Sequence, residues 1–404
     1  MSLKEKATQG FIWNFGQKFG TQAISFIVTI VLARLLTPED YGLIGMIAIL
    51  MGVGTSLINS GLTTSLIRTN DADQEDYSTV FFFNLVGSIL IYLLVFLSAP
   101  LFASFFNQAL LEPIVRVYCL SFIISAFSTV QLTRLTKAMD FKTQLLVSIP
   151  SVIGSGILGV VLAYNGYGVW SLVYMHLAQT SLYSAQLWFR TKWRPSLMFS
   201  VPKFKQHFRF GYKLTLSGLL DTTFNNAYQI IIGRYFSASQ VGFYTQALKL
   251  QQLPVNNISD TLKTVTYPLF ATIQNDDARL RRVYKEIMVM VIFVIAPMLS
   301  IMIVLAEPLF RFLFSEKWLP AVPYFQILCL AGLFYPLHSY NLNILNVKGR
   351  SDLFLKLEVV KKIMIAIVIA ITINFGIIGL VWGKVITSVV ALVINTHYTG
   401  KFIN

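Results

Sequence analysis

The sequence predicts an all-α polytopic membrane protein of about twelve transmembrane helices, and three observations predict it. Hydrophobic residues make up 55% of the 404, and charged residues only 12%. The mean hydropathy is +0.65, too apolar for a soluble domain of this size. Apolar runs of roughly twenty residues, the length that crosses the hydrocarbon of a bilayer, recur along the chain. The cations gather in the connections that would lie on one side of such a bundle.

Taken in order, the first six spans are expected near 11–35, 42–66, 79–101, 114–134, 145–164 and 168–189. The opening MSLKEK is a short basic head. The apolar segment after it runs past the length of a signal sequence and lacks a small-residue cleavage site, so it reads as a retained first span. The second six are expected near 211–233, 241–267, 284–306, 321–345, 359–375 and 377–399.

Placing both termini in the cytoplasm leaves only Arg34, Arg116, Arg234, Arg311 and Lys317 on the outer side, while Lys18, Lys249, Lys263 and Lys384 fall within spans. That distribution obeys the positive-inside rule and gives an N-in/C-in topology. The acidic stretch 71–76 lies on the cytoplasmic side, but carboxylates contribute little to the rule. The outer connections Asn165-Gly-Tyr-Gly168 and Ile373-Asn-Phe-Gly376 are too short to hold an extracellular catalytic domain.

The longest basic run, RTKWRPSLMFSVPKFKQHFRFGYK at 190–213, contains Arg190, Lys192, Arg194, Lys203, Lys205, Arg209 and Lys213 and no Asp or Glu. A basic run alone would suit nucleic acid. Flanked by apolar spans, it reads instead as the largest cytoplasmic loop, and no nucleic-acid partner is expected. It lies between two halves that resemble each other. ARLLTPEDYG from Ala33 answers GRYFSASQVG from Gly233, LSAPLFASFF from Leu97 answers LAEPLFRFLF from Leu305, and Cys119-Leu120 answers Cys329-Leu330. The expected organisation is therefore an N-terminal six-helix lobe (1–190), a basic cytoplasmic linker (191–210) and a C-terminal six-helix lobe (211–404). Two parallel repeats of six spans are the plan of alternating-access transporters, which hold substrate between the lobes. Duplication without transport, as in a purely structural membrane protein, is the competing reading.

Charges inside spans are costly, at about 2.5–3.5 kcal/mol each on insertion scales, and normally face a cavity or a partner. Their spacing therefore carries information. Asn14, Lys18, Thr21, Ser25 and Thr29 recur every three or four residues and share one face of the first helix. The seventh carries Ser217, Asp221, Asn225 and Tyr228. The eighth carries Lys249, Gln252, Asn256, Asp260 and Lys263, and the twelfth Lys384, Ser388 and Asn395. These stripes predict a net-cationic, water-filled chamber suited to an anionic substrate. Lys18, Lys249, Lys263, Lys384 and Asn256 are the expected substrate-binding residues, with Asp221 and Asp260 as ion-coupling residues. The plainer readings are lysines that snorkel to the interface and aspartates in structural ion pairs. Arg34 and Arg234, at helix ends, suit the capping of terminal carbonyls. His338 suits a packed core role better than a proton relay. Asn59, Asn84 and Gln131 are expected to bridge helices.

No phosphate-binding loop, paired His-Glu metal motif or nucleophile elbow is present, so neither an ATP-driven pump nor an enzyme is indicated. Cys119 and Cys329 lack metal-ligand spacing, and no cofactor is expected. Transport energy would come from an ion gradient or from the substrate's own gradient.

The opening GFIWNFGQKFGTQAISFIVTIVLARLLTPEDYGLIGM, the following INSGLTTSLIR, and VGFYTQALKLQQLPVNNISDTLKTVTYPLFATIQ at 241–274 resemble the Wzx-type polysaccharide transporter family of the multidrug/oligosaccharidyl-lipid/polysaccharide (MOP) exporter superfamily. The resemblance covers nearly the whole chain and implies a MOP/MATE-like fold. It further implies a flippase in the bacterial cytoplasmic (inner) membrane that moves undecaprenyl-diphosphate-linked oligosaccharide for O-antigen, capsule or exopolysaccharide. Coupling to H+ or Na+, contact with membrane lipids, and polysaccharide polymerase and chain-length machinery as partners come with it. Many relatives carry a further pair of spans. A drug or metabolite exporter of the same superfamily is the first alternative, although cationic drugs would want an acidic chamber. An integral-membrane glycan polymerase or ligase is the second, and it would want a large outer catalytic loop.

Overall fold

The computed structural model describes residues 3–59, 61–273, 276–347 and 350–403, and among them all regular secondary structure is helical. The chain forms α1 (Leu3–Leu35), α2 (Pro38–Asn59), α3 (Leu62–Arg68), α4 (Gln74–Phe106), α5 (Leu111–Tyr118), α6 (Ser121–Lys137), α7 (Phe141–Tyr164) and α8 (Val169–Arg190). It continues with α9 (Val201–Asn225), α10 (Ala227–Tyr235), α11 (Ala238–Thr272), α12 (Asp277–Val304), α13 (Ala306–Phe314), α14 (Val322–Val347), α15 (Ser351–Thr372) and α16 (Gly376–Ile403). Short 3-10 turns occupy Glu316–Ala321 and Ile373–Phe375. Helix stands at each of the twelve expected spans, but four of those spans are interrupted. Gly61 separates α2 from α3, Cys119 and Leu120 separate α5 from α6, Asn226 separates α9 from α10, and Leu305 separates α12 from α13 near the end of its span.

Local chemistry sets where the helices begin. In TPED, the Asp40 carboxylate accepts the Thr37 N–H at 2.8 Å and Thr37 Oγ1 accepts the Asp40 N–H at 3.3 Å. With Pro38 at the first helical position, this is a reciprocal capping box that starts α2. Asp73 and Asp76 make the same exchange at the start of α4. Asp140 caps α7 and Asp276 caps α12 through the N–H three residues on. Pro202 in the first turn helps start α9 at Val201, so more than half of the basic run is helix rather than loop.

Eight stretches among the described residues are long and apolar enough to cross a membrane, and the last of them, Asp352–Gly400, contains both α15 and α16. The segments α8, α9 and α11 are not among these stretches. Leu94, Leu97 and Leu101 of α4 are 68–74% exposed, an apolar ridge that water would not tolerate and lipid covers. The chain is a multi-pass membrane protein.

Two compact units divide the chain, Met1–Ser239 and Gln240–Asn404, with the boundary in the first turn of α11. In the first unit α7 packs on α1 and α8, α6 on α4 and α8, and α9 on α2, α3 and α4. Its base is a buried cluster of Leu62, Leu66, Tyr77, Val80, Phe81, Val130 and Trp193, in which Phe81 and Trp193 meet edge to face at 6.0 Å. In the second unit α14 packs on α12 and α16, and α15 on α16. Phe310, Phe314, Trp318 and Phe325 form its aromatic core.

Candidate functional site

The polar stripe of α11 lies on that helix's accessible side. Within 241–250 every residue is buried except Lys249, and Gln252 and Asn256 are exposed as well. Three and four residues apart, they form one face. A lysine exposed on an otherwise buried stretch is placed to meet an anion. The side chains of Asp260 and Lys263, further along the same stripe, lie outside the described residues. From α16, Lys384 Nζ lies 3.2 Å from the hydroxyl of Tyr244 on α11 and 5.7 Å from its ring centroid. Ring and hydroxyl together hold the cation. Lower on α16, fully buried Asn395 turns its amide toward His338 of α14 at 3.5 Å. In the same bundle Tyr284 donates to the Asn341 side-chain oxygen, and the Asn341 amide donates to Thr396 at 3.1 Å.

In the first unit Asn14 and Lys18 of α1 are exposed, whereas Thr21 and Thr29 return their hydroxyls to carbonyls of their own helix. Ser217, Asp221 and Asn225 of α9 are exposed, and the stripe ends at buried Tyr228. Thr222, beside Asp221, touches α2: its Oγ1 is 3.2 Å from Ser56 Oγ. Arg234 donates to the Phe105 carbonyl, one residue from the end of α4, at 2.7 Å, in keeping with a capping role. Asn84 is buried in α4, and neither atom of its amide has a hydrogen bond. Asn59's side chain is outside the described residues. Among the described residues, no three His, Cys, Asp or Glu side chains gather as a metal site.

The structure also assembles a cluster that the sequence stripes do not contain. Asp76, 1% exposed, accepts from His207 Nε2 at 3.0 Å through one oxygen. Its other oxygen accepts from Lys203 Nζ at 2.9 Å and from the Asp73 N–H at 3.0 Å. His207 Nδ1, on the far side of the ring, lies 2.8 Å from Ser65 Oγ. The hydrogen bond to Asp76 is the main cause that raises the Lys203 pKa above the ordinary lysine value, so Lys203 is charged at neutral pH. The available signal was the acidic stretch 71–76 and the basic run 190–213 on one side of the membrane, where opposite charges pair. Tyr244 was missed because a tyrosine outside the polar stripe of α11 carries no sign of the cation it will meet.

The family described as "Polysaccharide biosynthesis protein" matches residues 31–323. The chain is 28% identical over 305 residues to the teichuronic acid biosynthesis protein TuaB of Bacillus subtilis, a match that covers 74% of this chain and 62% of the relative. It is 23% identical over 398 residues to the lipopolysaccharide biosynthesis protein WzxC of Escherichia coli, covering 98% of this chain and 81% of that one. The fold is shared with the lipid II flippase MurJ in an inward closed conformation, at a TM-score of 0.81 and 14% identity over 97% of this chain and 89% of MurJ. With a match that runs through most of the first unit and about half of the second, the chain belongs to the polysaccharide biosynthesis protein family.

Proposed function

We propose that the protein is a flippase that carries an undecaprenyl-diphosphate-linked oligosaccharide from the cytoplasmic to the outer leaflet of the bacterial inner membrane by alternating access, and that it performs no covalent chemistry. The observation that carries this reading is Lys249 on the accessible face of α11, beside Gln252 and Asn256. A sugar diphosphate entering hydrocarbon forfeits its hydration, and fixed cations restore part of that stabilisation in a medium of low dielectric. Lys249 and Lys384 are the proposed diphosphate contacts, with Lys18, Lys263 and Asn256 along the path. Asp221 and Asp260 are the proposed ion-coupling groups for H+ or Na+. Residues 1–190 and 211–404 are the proposed moving lobes, joined by the basic segment 191–210. Family membership and the likeness to a lipid II flippase support the reading.

The test is Lys249→Ala with Lys384→Ala, in cells whose surface polysaccharide depends on this protein. Surface polysaccharide should be lost and lipid-linked oligosaccharide should accumulate, at normal protein levels in the membrane. Unchanged polymer would remove these lysines from the mechanism.

A further inference from the structure

The buried Asp76–His207 pair lies at one end of the polar face of α9, and it ties that helix down. Asp76 belongs to the first turn of α4, Ser65 to α3, and His207 and Lys203 to the first two turns of α9, so one carboxylate and one imidazole key three helices together. A carboxylate only accepts, so Nε2 carries the proton toward Asp76, while Nδ1 is hydrogen-bonded to the Ser65 hydroxyl on the other side of the ring. One turn past His207, Gly211 meets Gly61 so closely that a Cβ on Gly61 would sit 2.5 Å from the Gly211 carbonyl oxygen.

The chain leading into α9 is tied down as well. Gln74 donates to the Arg194 carbonyl at 2.7 Å and accepts from the Trp193 indole at 2.6 Å. Ser78 accepts the Ser196 N–H, and Thr79 accepts the Ser200 N–H, each at 3.0 Å. The basic segment is thus docked along the first two turns of α4. The next break in regular helix is at Asn226. Between the clamp and that break α9 is continuous. Fixing its base therefore fixes the register of Asp221 and Thr222 against α2, where Thr222 Oγ1 meets Ser56 Oγ.

We propose that Asp76 and His207 are positioning residues for transport: in this conformation of the cycle they lock α9 onto α3 and α4 and so hold its polar face in register with α2. The inference rests on the flippase reading for its transport readout and on geometry alone for its structural one. In the full-length protein, Ser56→Cys and Thr222→Cys provide a disulfide reporter of that register in native membranes.

Asp76→Ala and His207→Ala should each lower cross-linking in this background about fivefold or more, and should lower surface-polysaccharide export as much in the protein without the added cysteines, as expected when one partner of a buried pair is removed. His207→Gln can still donate toward Asp76 and should recover a large part of both. Where an alanine variant fails to accumulate, Asp76→Asn carries the measurement, normalised to protein in the membrane. Undiminished cross-linking in the alanine variants or in Asp76→Asn, or glutamine no better than alanine, overturns the positioning role, as does export lost with cross-linking intact. Cross-linking that responds as expected, in a protein whose unsubstituted form exports no glycan, would sink the flippase reading and leave the register of α9 standing.

Discussion

Lys384 Nζ lies 3.2 Å from the hydroxyl of Tyr244, a residue 140 positions earlier in the chain, and Tyr244 is itself 1% exposed. The contact joins α16 to α11 and aims the lysine with a group that cannot neutralise it. Tyr244→Phe keeps the ring and removes the hydroxyl. A hydrogen bond to a charged group contributes about 1.5–3 kcal/mol, so this variant should lower the thermal stability of the purified protein by that order. Export should fall less than in Lys384→Ala. Equal export defects in the two would assign the role to Tyr244 rather than to the cation.

Gly61 adopts φ +62°, and a Cβ there would meet the Gly211 backbone. Gly61→Ala combines left-handed backbone strain of about 1–3 kcal/mol with a clash against α9. A clearly lower melting temperature in detergent is expected. Unchanged melting would contradict the close approach of α3 and α9.

Trp193 and Leu197 are four residues apart in the basic segment, yet Trp193 is 8% exposed and Leu197 is 97% exposed. Trp193→Ala should cost about 3–5 kcal/mol through lost packing against Phe81 and Tyr77. Leu197→Ala should stay within about 0.5 kcal/mol. Thermal unfolding of the two side by side tests whether this stretch is docked.

Asp140 accepts the Thr143 N–H at 3.0 Å and the Thr143 hydroxyl at 2.7 Å, capping α7. Asp140→Ala should cost about 0.5–2 kcal/mol, and Asp140→Asn much less. Equal losses from both would point to charge rather than capping.

Folding raises the Lys203 pKa, chiefly through the hydrogen bond to Asp76. Stability from a raised lysine pKa is fully present below the unfolded value of about 10.4 and is lost as pH rises through the higher folded value. The difference in melting temperature between the unsubstituted protein and Lys203→Met should therefore be the same at about pH 7 and pH 9. The absence of any difference at both pH values would show that Lys203 is not held by Asp76.

Much of this protein is local, and what is local was legible. Helix positions follow from runs of apolar residues and from caps such as Thr37-Pro38 and Asp73, each decided within a few neighbours. The polar face of α11 followed from helical periodicity, which places Lys249, Gln252 and Asn256 together whatever surrounds them. The breaks at Gly61 and Asn226 fall in the polar runs Asn59-Ser60-Gly61 and Asn225-Asn226, which a count of span lengths absorbs into the helices on either side, and packing decides where the helix yields.

By itself the sequence determined a polytopic helical membrane protein, its family, and which residues share a face. Only the tertiary structure decided what each face meets. Periodicity orients a side chain about its own axis but carries no information about a partner more than a hundred residues away. For that reason Asp76 with His207, and Tyr244 with Lys384, emerged only once the helices were packed.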